Sequence, residues 1–127
     1  EAELLLESLR ALREQRPLEP LRIMGDMNSD PLEAAVLTLE QGGLVDLLGQ
    51  LPSGERYSFV YEARASLLDH ALGSAELAAR TRGAGIWHIN ADEPAFRDYS
   101  LENPPDAFVA DARRSSDHDP IIVDLDF

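Results

Sequence analysis

Neither cysteine nor lysine occurs among the 127 residues. The first absence excludes disulfides, thiolate catalysis and cysteine-ligated zinc, and leaves the redox compartment undetermined. The second leaves 11 basic residues, all arginine, against 24 acidic ones, for a net charge of −13 at pH 7. A field of that sign repels DNA, RNA and anionic membranes on average, which argues against a simple nucleic-acid-binding module. It does not exclude a phosphodiester substrate, because a bound cation inverts the potential locally. No run of residues is long and apolar enough to cross a membrane. The opening Glu1-Ala2-Glu3-Leu4-Leu5-Leu6-Glu7 is acidic where a secretory signal would be basic, so no export signal is visible in this chain. Internal repeats, low-complexity tracts and domain linkers are also lacking, and the 44% hydrophobic content suffices for one core.

What is present alternates helix and strand signals. Leu5, Leu6, Leu9 and Leu12 recur at helical spacing until Pro17 and Pro20 end the run, predicting a helix over 4–16. Leu21-Arg22-Ile23-Met24 reads as a short strand delivering Asp26 and Asn28 to its C-terminal edge, where an extended backbone would point both to one side. Asp30-Pro31-Leu32-Glu33 has the residue types of a helix start, and Gly42-Gly43 those of its end. Further strands are expected at 57–61, 67–72, 86–89 and 121–125, with a helix over 74–82 and an irregular loop over 94–105. The pattern predicts α/β (α+β) layers: a mixed sheet with helices on one face. The other face then lacks a cover, which suggests a missing partner and a homodimer through the exposed sheet face.

Asp117-His118-Asp119-Pro120, after Ser115-Ser116 and before the apolar Ile121-Ile122-Val123, sets an acid beside an imidazole in a displayed loop. A carboxylate there can hold a divalent cation while the histidine contacts an anionic substrate, although a turn capped by its own side chains uses the same residues. Three other segments precede it in order: Gly25-Asp26-Met27-Asn28-Ser29, Tyr57-Ser58-Phe59-Val60-Tyr61 and Leu68-Asp69-His70-Ala71-Leu72-Gly73-Ser74. Together the four resemble the endonuclease/exonuclease/phosphatase (DNase I-like) superfamily, marked by Gly-Asp-x-Asn, a Leu-Asp-His or Leu-Asp-Tyr strand, and a closing Ser-Asp-His. Trp87-His88-Ile89-Asn90-Ala91-Asp92-Glu93-Pro94, with Asp98-Tyr99 and the Arg114 to Pro120 run, looks most like the large bacterial extracellular nucleases of that superfamily.

The resemblance implies that residues 1–127 form the C-terminal half of a four-layer α/β/β/α sandwich, with the N-terminal half, and its metal-binding glutamate, absent. It implies metal-dependent phosphodiester hydrolysis, by a DNA endonuclease or broad nuclease, in which this chain alone is an incomplete and inactive catalytic half. By the same resemblance, Asp26 orients or deprotonates the attacking water, Asn28 holds the phosphate or assists the metal site, and His118 contacts the scissile phosphate. Asp69 raises the pKa of His118, and Asp117 binds the metal, with Arg114 a further substrate-binding residue. Hard carboxylate oxygens favour Mg²⁺, with Mn²⁺ or Ca²⁺ as alternatives. The implied partner is nucleic acid, DNA or RNA, and the implied location extracellular or periplasmic. Phosphomonoesters, inositol phosphates and sphingolipids are alternative substrates within the superfamily, and a non-catalytic interaction module is the alternative outside it.

Other residues read more plainly. His70, beside Asp69 on a strand, points to the opposite face and is structural. His88, Asn90, Asp92 and Glu93 read as a solvated loop, with a second oxygen-rich metal site as the sharper alternative. Arg64 and Arg113 read as surface arginines, and Phe59, Tyr61 and Trp87 as buried sheet positions rather than a base-stacking platform.

Overall fold

The computed structural model describes residues 1–17, 19–97 and 111–126. Helix α1, Ala2–Gln15, turns Leu6 into the core, with Leu9 packed beside it. Strand β1, Arg22–Asp26, pairs antiparallel with β5, Asp69–Gly73, which also pairs antiparallel with the two-residue β2, Val45–Asp46. The sheet order is therefore β1-β5-β2, with the most buried strand in the centre.

Adjacent residues of β5 face opposite sides, as strand geometry requires. Leu72 packs with Leu6 of α1 and with Leu39 of α2, Ala34–Gln41, on the helical side. Ala71 packs on the other side with Leu48 and Leu67 and with Ala84, Ile86, Ile121 and Val123. The last four belong to β6, Thr81–Ile86, and β7, Ile121–Leu125, an antiparallel pair forming the next layer. The helices thus lie on one face of the central sheet, as expected. The opposite face, expected to be open, is covered by β6 and β7, and the apolar exposure moves outward to Trp87 and Ile122, 54% and 55% exposed. Every pairing among the described residues is antiparallel, where the sequence suggested mixed pairing.

Local boundaries shift where a distant partner outweighs local pattern. The segment expected as a helix over 74–82 is helical only in α3, Ala75–Ala78, because from Thr81 onward the chain pairs with β7. The strand expected at 86–89 accordingly ends at Ile86. Helix α2 begins at Ala34, not at Pro31. Asp30 instead accepts the Glu33 N–H in a turn, since the backbone just before it is tied down by the bond between the Ser29 carbonyl and the His70 ring, 2.7 Å. The strand expected over 67–72 begins only at Asp69, as β5, and a separate short strand, β4, Arg64–Ser66, precedes it. Strands β3, Phe59–Tyr61, and β4 form a hairpin whose base touches His118 through a bridge at Phe59. The loop expected over 94–105 is described as far as a 3₁₀ turn at Ala95–Arg97; Asp98 and Tyr99 lie outside the described residues.

Candidate functional site

Gly25 carries β1 toward the site with φ 139°, a value that favours glycine, and Asp26 ends the strand directly opposite Asp69 of β5. Strand alternation does not align Asp26 with Asn28. The strand stops, Asn28 takes the left-handed φ of 47°, and its backbone N–H donates to Asp26 Oδ1 at 2.7 Å while Nδ2 donates to Oδ2 at 3.2 Å. Asparagine tolerates that conformation better than most residues, so the motif is a turn that clamps the Asp26 carboxylate.

Asp69 Oδ2 lies 2.5 Å from His118 Nδ1. Both side chains are largely covered. Partial burial pulls the His118 pKa down, but the hydrogen bond the ring donates to Asp69 and the charges of Asp69, Asp117 and Asp26 outweigh it, leaving the imidazole above its ordinary value. The three carboxylates thus act on one ring. With Nδ1 engaged by Asp69, Nε2 is the nitrogen left for a substrate. Four segments far apart in sequence are brought together here, and Asp26, Asn28, Asp69, Asp117 and His118 all belong to them.

Two residues without an assigned role in the sequence hold this arrangement. Ser58, fully buried, accepts the N–H groups of Leu68 and Asp69 at its Oγ, at 3.2 and 3.1 Å, and its carbonyl accepts the N–H of Asp119 at 2.8 Å. It joins the backbones on both sides of the Asp69–His118 pair. Ser58→Ala removes the acceptor of two part-buried N–H groups and is expected to cost about 1 kcal/mol or more. A urea denaturation midpoint unchanged from wild type would contradict that role.

Asp119 is the second. Its carboxylate is fully buried; Oδ1 accepts the successive N–H groups of Ile89, Asn90 and Ala91 at 3.1, 2.8 and 2.9 Å, and Oδ2 lies 2.9 Å from His88 Nδ1. Asn90, 4% exposed, returns Nδ2 to the His118 carbonyl at 2.8 Å. Nothing local marks Asp119, because its partners stand 28 to 31 residues away. The 88–93 segment, read as a solvated loop, is instead largely tied down by hydrogen bonds, with Asp92 exposed. His88 stacks on Tyr57 at 4.1 Å, Asp92 accepts the Tyr57 hydroxyl, and Glu93 pairs with Arg97. Burial, then the hydrogen bond and charge of Asp92 and the charge of Asp119, push the Tyr57 phenol up to about 12.

Arg114, expected to bind substrate, is 7% exposed and donates Nη1 to the Asn90 carbonyl, while its own N–H reaches Ile89. Its burial and the bond to Asn90 place the guanidinium inside the loop, and its backbone takes the left-handed φ of 55°. Arg113 pairs with Asp111, whose carboxyl is held low chiefly by the Arg113 backbone N–H. His70, 1% exposed, is structural as expected. Tyr61 and Trp87 are not buried; Tyr61 is 64% exposed at the tip of the hairpin. Among the described residues no three acidic or histidine side chains are grouped to enclose a metal ion. Asp117 contributes one hard carboxylate, which by itself does not make a metal site.

Layered α+β architecture with this cluster at its edge agrees with a class of enzymes, the hydrolases of phosphate esters. The chain belongs to the Endonuclease/Exonuclease/phosphatase family, whose profile matches residues 2–118. Enzymes of this family generally use divalent metals. No curated protein sequence matches the chain. Among solved structures it is similar in fold to NExo, a 3′ phosphatase from Neisseria bound to product DNA hairpin, with a TM-score of 0.59 and 21% identity. That match covers 98% of this chain and 53% of the other, so the chain spans about half the length of the structure it resembles.

Proposed function

We propose that this chain carries the histidine side of a nuclease site that hydrolyses phosphodiesters in DNA, with RNA as a related substrate. The observation that carries the reading is the Asp69–His118 pair, with the Asp26 and Asp117 charges acting on the same ring. His118 in its cationic form would contact a non-bridging phosphate oxygen through Nε2. Asp26, clamped by Asn28, would accept a proton from the attacking water as the new P–O bond forms and the bond to the leaving alkoxide breaks. Asn28 would offer its remaining amide N–H to the phosphate. Asp117 would be this chain's ligand to a Mg²⁺-like ion, which neutralises charge on the phosphate when bound; further donors are required from the part of the domain outside this chain. The isolated 127 residues are then an incomplete catalytic half.

A second reading, removal of a terminal phosphate from DNA, is favoured by one observation. The structure with the similar fold is a 3′ phosphatase with product DNA. The full-length protein is expected to nick supercoiled DNA or to release phosphate from a 3′-phosphorylated oligonucleotide, and to lose either activity in chelator and regain it with Mg²⁺. Nicking without phosphate release supports the first reading, and the reverse supports the second. Inactivity on both DNA substrates with Mg²⁺, Mn²⁺ and Ca²⁺ would overturn both readings.

A further inference from the structure

Three rings run outward from the site. The His118 ring lies 4.9 Å from Phe59, tilted by 36°, and Phe59 lies 6.4 Å from Tyr61 with planes 4° apart. Phe59 and Tyr61 are two apart on β3 and share a face, and the cross-strand partner of Tyr61 is Arg64. Residues directly opposed in an antiparallel pair project together, so the hairpin tip presents an aromatic ring beside a guanidinium. Tyr61 is 64% exposed. Arg64 is exposed and, among the described residues, has no carboxylate within ion-pair distance, as is also true of Arg10, Arg22, Arg80 and Arg114, whereas the other six arginines each have one. Of these five arginines without an ion pair, Arg64 is the one that stands across a strand pair from an exposed aromatic ring. The turn between them holds Glu62 and Ala63 at φ 48° and 62°, left-handed values for two residues that rarely adopt them. A two-residue turn of that hand keeps the strands closely paired up to the tip.

We infer that Tyr61 and Arg64 form a nucleotide subsite beside the phosphate bound by His118. Tyr61 stacks on a flanking base, and Arg64 pairs with a neighbouring phosphate. At roughly 3.4 Å per stacked base, the ring series from His118 to Tyr61 spans a few nucleotides. Stacking on tyrosine tolerates any base, and arginine offers a fork of donors that suits phosphate oxygens, so the subsite selects a polynucleotide over a small ester without reading sequence. This assignment rests on the phosphoester-hydrolysing reading of the His118 site.

The test compares KM and kcat for a single-stranded oligonucleotide and for bis(4-nitrophenyl) phosphate, using the full-length protein and its Tyr61→Ala, Tyr61→Phe and Arg64→Ala variants. Tyr61→Ala is expected to raise the oligonucleotide KM about tenfold while both constants for the small ester stay within about twofold of wild type. Tyr61→Phe should restore the oligonucleotide KM, and Arg64→Ala should reduce its dependence on salt. Small-ester activity also reports that each variant is folded. Oligonucleotide constants unchanged in Tyr61→Ala, or a wild type that cleaves the small ester and no oligonucleotide, would overturn the subsite and leave the hydrolase reading intact. A wild type that cleaves neither would remove both.

Discussion

His118→Ala is expected to lower phosphodiester hydrolysis by the full-length protein at least about 100-fold, and Asp69→Asn to move the alkaline limb of its pH profile downward. The reason lies in one hydrogen bond and three charges. Asp69 accepts from His118 Nδ1, and the Asp69, Asp117 and Asp26 carboxylates together hold the imidazole above its ordinary pKa. A raised folded-state pKa means that the protonated form is the favoured one. The stability contributed by the pair is therefore fully present below the unfolded histidine value, near 6.5, and is lost as pH rises through the higher folded value. If the imidazolium is what contacts phosphate, activity falls over that same upper range. Asp69→Asn keeps the shape and removes the charge, so His118 should lose its proton at lower pH. NMR titration of the His118 ring in this chain, with and without Asp69→Asn, measures that directly and needs no activity. Identical titration curves would refute the electrostatic role of Asp69; wild-type turnover in His118→Ala would refute the site.

The second large effect falls on a residue that touches no substrate. Asp119→Ala is expected to destabilise the chain by about 2 kcal/mol or more, because the buried N–H groups of Asn90 and Ala91 are left without an acceptor, while the Ile89 N–H keeps the Trp87 carbonyl. The cost should exceed that of Asp119→Asn, whose amide oxygen still accepts from Ile89, Asn90 and Ala91. Those bonds anchor the 89–91 backbone directly behind the loop carrying His118, and Asn90 closes the circuit onto the His118 carbonyl. Loss of order there should reach the Asp69–His118 pair. Chemical denaturation of the two variants measures the difference, and equal stability of Asp119→Ala and wild type would show that the buried carboxylate is dispensable.

Much of the site was legible in the sequence, for a definite reason. Asp26 with Asn28, Asp69, and Asp117 with His118 sit in short motifs at strand edges, where local residue types set the backbone path. Their chemistry needs only the right side chains at the right ends. Arg114 was misplaced because a basic residue beside the Asp117-His118 loop looks the same whether it faces a phosphate or the loop interior. Only its burial and the acceptor at Asn90 distinguish the two. The same holds for Tyr61, whose alternating strand pattern fits a buried position equally well.

The sequence alone determined the helix led by Leu6 and Leu9, the strand that delivers Asp26, and the residue types able to handle a phosphate, since these depend on local spacing and side-chain chemistry. Tertiary structure decided the rest. The pairing of β6 with β7 turned the end of an expected helix into a strand and covered the open face of the central sheet, because a partner some 40 residues away supplied hydrogen bonds and apolar contacts that no local window contains. It also brought Ser58 and Asp119 under the site. Their importance comes from backbone N–H groups that would be buried without an acceptor, and burial is a property of the folded chain.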